Sequence, residues 1–158
     1  MSTTWTARLA ELGITLPSVV PPVATYTPAV RTGNLVYTSG QLPIVDGKLS
    51  AIGKVSDGAE GICTPEDATN AARISALNAL AAIDALVGLD SIVRVVKVVG
   101  FVASAPGFTG QPQVINGASN LLGEIFGDAG VHARSAVGVA ELPLAAPVEV
   151  ELIVEVAG

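Results

Sequence analysis

Val148-Glu149-Val150-Glu151-Leu152-Ile153-Val154-Glu155-Val156 decides how this chain folds. Side chains alternate between the two faces of a strand, so Val148, Val150, Leu152, Val154 and Val156 make one continuous apolar face. Glu149, Glu151 and Glu155 surround Ile153 on the other. The apolar face needs helices to cover it, and two are legible upstream. Thr64-Pro65-Glu66-Asp67 is a helix start, with Thr as N-cap, Pro at the first helical position and two acids at the positive end of the dipole. That helix is predicted to run to about Val87 and stop at Gly88. Its buried stripe is predicted as Ala72, Ala76, Ala79, Ile83 and Leu86, at 3,4 spacing. A second helix is predicted over residues 112–126, after the Ala105-Pro106-Gly107 turn.

The remaining segments read as strands and one short helix. Residues 91–105 are dense in Val, which prefers strands, and residues 133–140 read as another. Residues 24–30, 35–40 and 48–52 are three β-like runs separated by Thr32-Gly33-Asn34 and Val45-Asp46-Gly47. Asp-Gly is a strong hairpin signal, so this third of the chain is expected to be an antiparallel meander. Trp5, Leu9 and Leu12 recur at helical spacing, predicting a helix over residues 3–12 ended by Gly13, and the Pro-rich stretch after it forces an extended path. The order helix, β-β-β, α, β, α, β-β predicts an α+β fold, a mixed sheet with both long helices on one face. No element of the chain is left to cover the other face.

The chain has 158 residues, about one domain's worth, and is read as a single domain 1–158 with residues 1–21 as a helical and Pro-rich extension. Half the residues are hydrophobic but only 4% are aromatic, so Ala, Val, Ile and Leu must build the core. Charged residues are 14%, below the quarter usual in soluble domains, which predicts self-association. The net charge of -6 argues against phosphate-backbone binding, so no nucleic-acid partner is expected. One cysteine and one histidine supply neither an intrachain disulfide nor a Cys/His metal cluster; a reducing compartment and no metal are expected. Residues 1–12 lack the apolar run of a signal peptide, and charges interrupt each apolar stretch before it reaches spanning length. A cytoplasmic protein without a membrane partner is expected.

General catalytic signatures are missing: there is no Walker loop, Gly-x-Ser-x-Gly elbow or His-Glu-x-x-His. His132 is a candidate general base and Cys63 a candidate nucleophile, but a place in a loop accounts for each, and strand packing accounts for Tyr37 and Ser39. Glu149 has two readings. It belongs to a solvated sheet face, or, if another subunit covers that face, it lies with Arg134 toward an interface cleft. Arginine suits such a cleft because it holds a carboxylate through two parallel hydrogen bonds.

Thr38-Ser39-Gly40-Gln41-Leu42-Pro43, following Arg31-Thr32-Gly33-Asn34-Leu35-Val36, is one of three separated motifs. The others are Ala133-Arg134-Ser135 with Val139-Ala140-Glu141-Leu142-Pro143, and Val148-Glu149-Val150-Glu151. In collinear order over residues 22–156 they resemble the RidA family, also called YjgF or endoribonuclease L-PSP. The resemblance implies a chorismate-mutase-like fold and a homotrimer with a ligand cleft between each pair of subunits, which would cover the second sheet face. It implies that Arg134 holds the carboxylate of a 2-imino or 2-enamino acid and that Glu149 orients or activates the attacking water. Gly40 matches a glycine in the cleft wall, Tyr26 an aromatic flanking the substrate, and Asn116 a supporting polar residue on the second helix. Where the family often has cysteine two positions after the arginine, this chain has Ala136, which offers only its backbone carbonyl. The N-terminal extension and the 53–63 loop are additions to the short family pattern and mark a divergent branch.

The resemblance implies hydrolytic deamination of 2-imino or 2-enamino acids to 2-keto acids and ammonia, without a cofactor. The alternative is a non-catalytic regulatory trimer that binds small carboxylates or keto acids through the same Arg134. Ribonuclease activity fits less well, because five arginines and three lysines in an acidic chain come with no aromatic stacking platform.

Overall fold

A computed structural model describes residues 3–22, 24–58 and 62–158. Its elements are α1 (Trp5–Glu11), β1 (Ala29–Thr32), β2 (Leu35–Thr38), β3 (Ile44–Val45), β4 (Lys48–Leu49), α2 (Pro65–Val87), β5 (Ile92–Ala103), α3 (Gln111–Phe126), β6 (Ala133–Val139) and β7 (Val148–Val156). Five strands form one sheet in the order β1-β2-β7-β5-β6. Only the β5–β6 pair is parallel, with α3 crossing between its strands. The architecture is α+β with a mixed sheet, as the sequence predicts.

The local causes are those the sequence displays. The Thr64 hydroxyl accepts the Asp67 N–H at 3.1 Å and caps α2, and Gly88, at φ +83°, ends it. All five alternate apolar residues of β7 are at most 1% exposed beneath the helices. Ala72, Ala76, Ala79 and Ile83 are buried as predicted, but Leu86 is exposed. The stripe continues from Ile83 by a step of four to Val87, which packs on the core. The two helices approach closely at Gly117, where a Cβ would stand 2.0 Å from the Thr69 carbonyl oxygen. Because that neighbour is backbone, Gly117→Ala must push the helices apart. An expected loss of roughly 1–3 kcal/mol would lower the melting temperature by about 2–4 °C per kcal/mol, measurable by circular dichroism.

The meander differs from expectation. The first run enters the sheet only at Ala29, and the third segment leaves it: β3 and β4 form a separate ribbon across Asp46 (φ +50°) and Gly47 (φ +80°), the two positive φ values of a type I′ turn. Asn78 on α2 explains the departure. Its Nδ2 donates to the carbonyls of Leu42 and Ile44, each at 3.0 Å, and so ties this segment to the helix instead of to the sheet.

The helix of the N-terminal extension is docked against α3 and the start of β5. Trp5 Nε1 donates to the Ile92 carbonyl at 2.7 Å, and its ring meets Phe126 edge-on at 5.0 Å. The Asp90 carboxylate accepts from Thr6 N–H and Oγ. Residues 59–61 of the 53–63 loop lie outside the described residues.

No helix among the described residues is long and apolar enough to cross a membrane. The sheet face away from the helices carries Val30, Tyr37 and Val137, each more than 40% exposed, together with Glu149, Glu151 and Ile153.

Candidate functional site

Arg134 lies on the edge strand β6, opposite Val98 of β5, and Ala136 lies opposite Gly100. Val98 is fully buried on the helix side, so Arg134 and Ala136 also face α3. Gly100 lets α3 come close, since a Cβ there would meet Ile115 at 2.5 Å. Asn116 and Ser119, three apart on α3, then reach the arginine. Its Nη1 donates to Asn116 Oδ1 at 2.8 Å and to Ser119 Oγ at 3.2 Å, and Nη2 donates to the Pro112 carbonyl at 3.2 Å. A guanidinium has five N–H groups. With three committed, Nε–H and one N–H of Nη2 remain among the described residues. These nitrogens share one edge of the guanidinium, which is a fork of the width a carboxylate takes.

Glu149 lies on the opposite face of the sheet, beside Phe101 of β5. Opposite it the chain departs from regular pairing. Tyr37 pairs with Ile153 but Gln41 pairs with Val150, so three residues, Thr38 to Gly40, face two on β7. The Thr38 hydroxyl fills the gap by accepting the Leu152 N–H at 3.0 Å. Such a bulge redirects the strand, and here it brings Gly40 against Glu149: a Cβ on Gly40 would stand 2.6 Å from Glu149 Cδ. Tyr26 precedes Thr27, whose carbonyl accepts from Ser39 Oγ, one residue before Gly40, at 2.7 Å, and its ring is exposed. Glu149 is half-buried and has no ion-pair partner among the described residues. Burial first, and the Glu151 carboxylate second, push its acid up from the ordinary glutamate range.

The structure thus brings together Arg134, Asn116 and Ala136, and separately Glu149 and Gly40, with Tyr26 tied to the Gly40 segment only through its neighbour Thr27. It places the two sets on opposite faces of one sheet, so a single chain does not join them. A cavity of about 530 Å³ lies elsewhere, between the Pro-rich connector, β3–β4 and α2, and is lined by Pro17, Val20, Ile44, Ile74, Leu77 and Leu144 among others. It contains none of the six candidate residues. Cys63 is buried, and burial followed by Asp67 pushes its thiol up, which disfavours the nucleophilic thiolate. Among the described residues no three His, Cys, Asp or Glu side chains converge as metal ligands. Ser119 was not evident as a site residue. Its spacing from Asn116 is the signal that places both on one helical face.

Residues 6–156 match the family model described as "YjgF/chorismate_mutase-like, putative endoribonuclease". Protein TCP17 of Trypanosoma cruzi is 43% identical over 152 residues, covering 94% of this chain and 92% of that protein. The crystal structure of Atu1372 from Agrobacterium tumefaciens, a protein of unknown function, is 44% identical with a TM-score of 0.85, over 98% of this chain and 94% of that one. The structure of E. coli TdcF with bound serine is 25% identical with a TM-score of 0.61, over 89% and 93% of the two chains. Matched over nearly its whole length, and with the sheet order and helix placement described above, this chain belongs to the YjgF/chorismate-mutase-like family.

Proposed function

We propose that the protein hydrolyses 2-imino or 2-enamino acids to 2-keto acids and ammonia, in clefts where Arg134 of one copy meets Glu149 of the next. The observation that carries the reading is the Arg134 guanidinium, which three hydrogen bonds hold while its Nε and Nη2 edge stays free for a carboxylate. The serine bound to TdcF is an amino acid with such a carboxylate, which supports the assignment. Among the described residues Glu149 has no ion-pair partner, and it lies on the sheet face away from the helices, beside exposed Tyr37 and Val137, which a neighbouring copy would cover. Its raised acid suits a base working near neutrality. Glu149 takes a proton from water as the water oxygen adds to the imine carbon. That proton passes to nitrogen to give a carbinolamine, whose hydroxyl proton then moves through Glu149 to the amine as the C–N bond breaks, leaving the keto acid and ammonia. The substrate is already electrophilic, so most of the catalysis is orientation and exclusion of bulk water.

A homotrimer of ~47 kDa closed by three-fold symmetry gives each copy both roles. The test uses two variants, Arg134→Lys and Glu149→Gln, in an assay where an amino-acid oxidase supplies imines and keto-acid release is followed. Each variant alone is expected to be nearly inactive. Dissociated, mixed in equal amounts and reassembled, they should recover about a quarter of the parent rate, because random assembly gives that share of clefts an intact Arg134 and an intact Glu149. No recovery would show that both residues must come from one chain. A parent that accelerates no imine hydrolysis but binds keto acids through Arg134 would be the regulatory carboxylate-binding trimer instead.

A further inference from the structure

His132 is the one histidine of the chain, two residues before Arg134 on the approach to β6. Its Nδ1 stands 2.6 Å from the Gly130 carbonyl oxygen. A carbonyl only accepts, so Nδ1 carries a proton, and in the neutral ring Nε2 must be an acceptor. Nε2 lies 2.9 Å from Ser119 Oγ. The serine hydrogen is therefore committed to the imidazole, and the serine lone pairs are left for Arg134 Nη1, 3.2 Å away. Four groups form one directional chain: arginine donates to serine, serine to histidine, histidine to a backbone carbonyl. The last link is fixed in place. Gly130 is buried and so close to the end of α3 that a Cβ on it would stand 2.4 Å from the Leu122 carbonyl.

We infer that Ser119 and His132 are positioning residues for Arg134. Resting on the reading of Arg134 as the carboxylate holder, the chain fixes the guanidinium so that its Nε and Nη2 edge meets the ligand. Without the imidazole acceptor, the Ser119 hydroxyl is free to turn its hydrogen back to its own helix, as serines in helices do. Its bond to the arginine then loses both its fixed direction and the polarisation passed along a hydrogen-bonded chain. Asn116 would remain as the only side chain holding Nη1.

Two measurements test this. Nitrogen NMR of the imidazole needs no mutant and no assignment, because there is only one histidine. The neutral ring is expected as the Nδ1–H tautomer, the reverse of free histidine, and an Nε2–H tautomer would overturn the relay whatever the site binds. Calorimetric titration with a 2-keto acid gives the second. Ser119→Ala and His132→Phe should each weaken binding about 5- to 10-fold, the scale of one ordinary hydrogen bond, because they loosen the guanidinium without removing a contact to the ligand, whereas His132→Gln, whose Oε1 can accept from Ser119, should restore most of it. On an Arg134→Lys background the same substitutions should change nothing, since they act only through the guanidinium. Equal losses on both backgrounds would mark a general structural role and overturn the inference, as would no loss on the parent. Arg134→Lys binding the keto acid as tightly as the parent would overturn it from the other side, by removing the carboxylate reading while leaving the tautomer result intact.

Discussion

Glu149→Gln is expected to slow imine hydrolysis by about 10²-fold or more, the usual contribution of a general base, with keto-acid affinity within a fewfold of the parent. Gln keeps the size and one acceptor oxygen, so Gly40 can still pack against it, but it takes no proton from water. Two pH measurements separate this from a structural role. The parent needs Glu149 ionised, and its acid is raised, so the acid limb of the rate profile should lie above the ordinary glutamate pKa of about 4.3. Stability runs the opposite way. Between the ordinary and the raised pKa the folded chain binds more protons than the unfolded one, so stability falls as pH rises through that window. Glu149→Gln never ionises. It should melt higher than the parent at neutral pH and match it below the ordinary glutamate range. A Glu149 that instead anchored a neighbouring cation would show the reverse, a variant less stable at neutral pH with its hydrolysis rate little changed.

Arg134→Lys is expected to weaken binding of 2-keto acids by roughly 1.5 to 3 kcal/mol, the range for a hydrogen bond to a charged group. The charge stays but the planar fork goes. A lysine ammonium has three donors against the arginine's five, and Asn116 Oδ1, Ser119 Oγ and the Pro112 carbonyl compete for them with the ligand. Calorimetry on the parent and variant measures the loss directly. Unchanged affinity would make Arg134 a strut between β6 and α3 and move the ligand site elsewhere.

The sheet and both long helices were legible because their signals are local. Thr64-Pro65 and Gly88 mark the ends of α2, and the alternation of β7 marks its buried face without reference to anything distant. What was hidden depends on contacts between segments far apart in sequence. The β3–β4 ribbon leaves the sheet because Asn78, more than 30 residues downstream, takes the Leu42 and Ile44 carbonyls. Leu86 is exposed because the helix continues its stripe through Val87, a choice between steps of three and four that local spacing leaves open. The motifs contain Gly40, Arg134 and Glu149, and the family resemblance adds Tyr26, Asn116 and Ala136. The placing of Arg134 and Glu149 on opposite faces follows only from the pairing register of β6 and β7 on β5, which no single motif contains.

The docking of α1 bears on the order in which the protein takes shape during synthesis. Trp5 is made more than 80 residues before its partners Ile92 and Phe126. Until the ribosome has passed Phe126, the indole has no edge-on ring to meet, and closing so long a loop carries an entropic cost that no local contact offsets. Although α1 is made before α2 and α3, it is therefore among the last of the three to find its place. It can settle only after β5 and α3 have come together, and a chain halted before Phe126 would leave that indole in water.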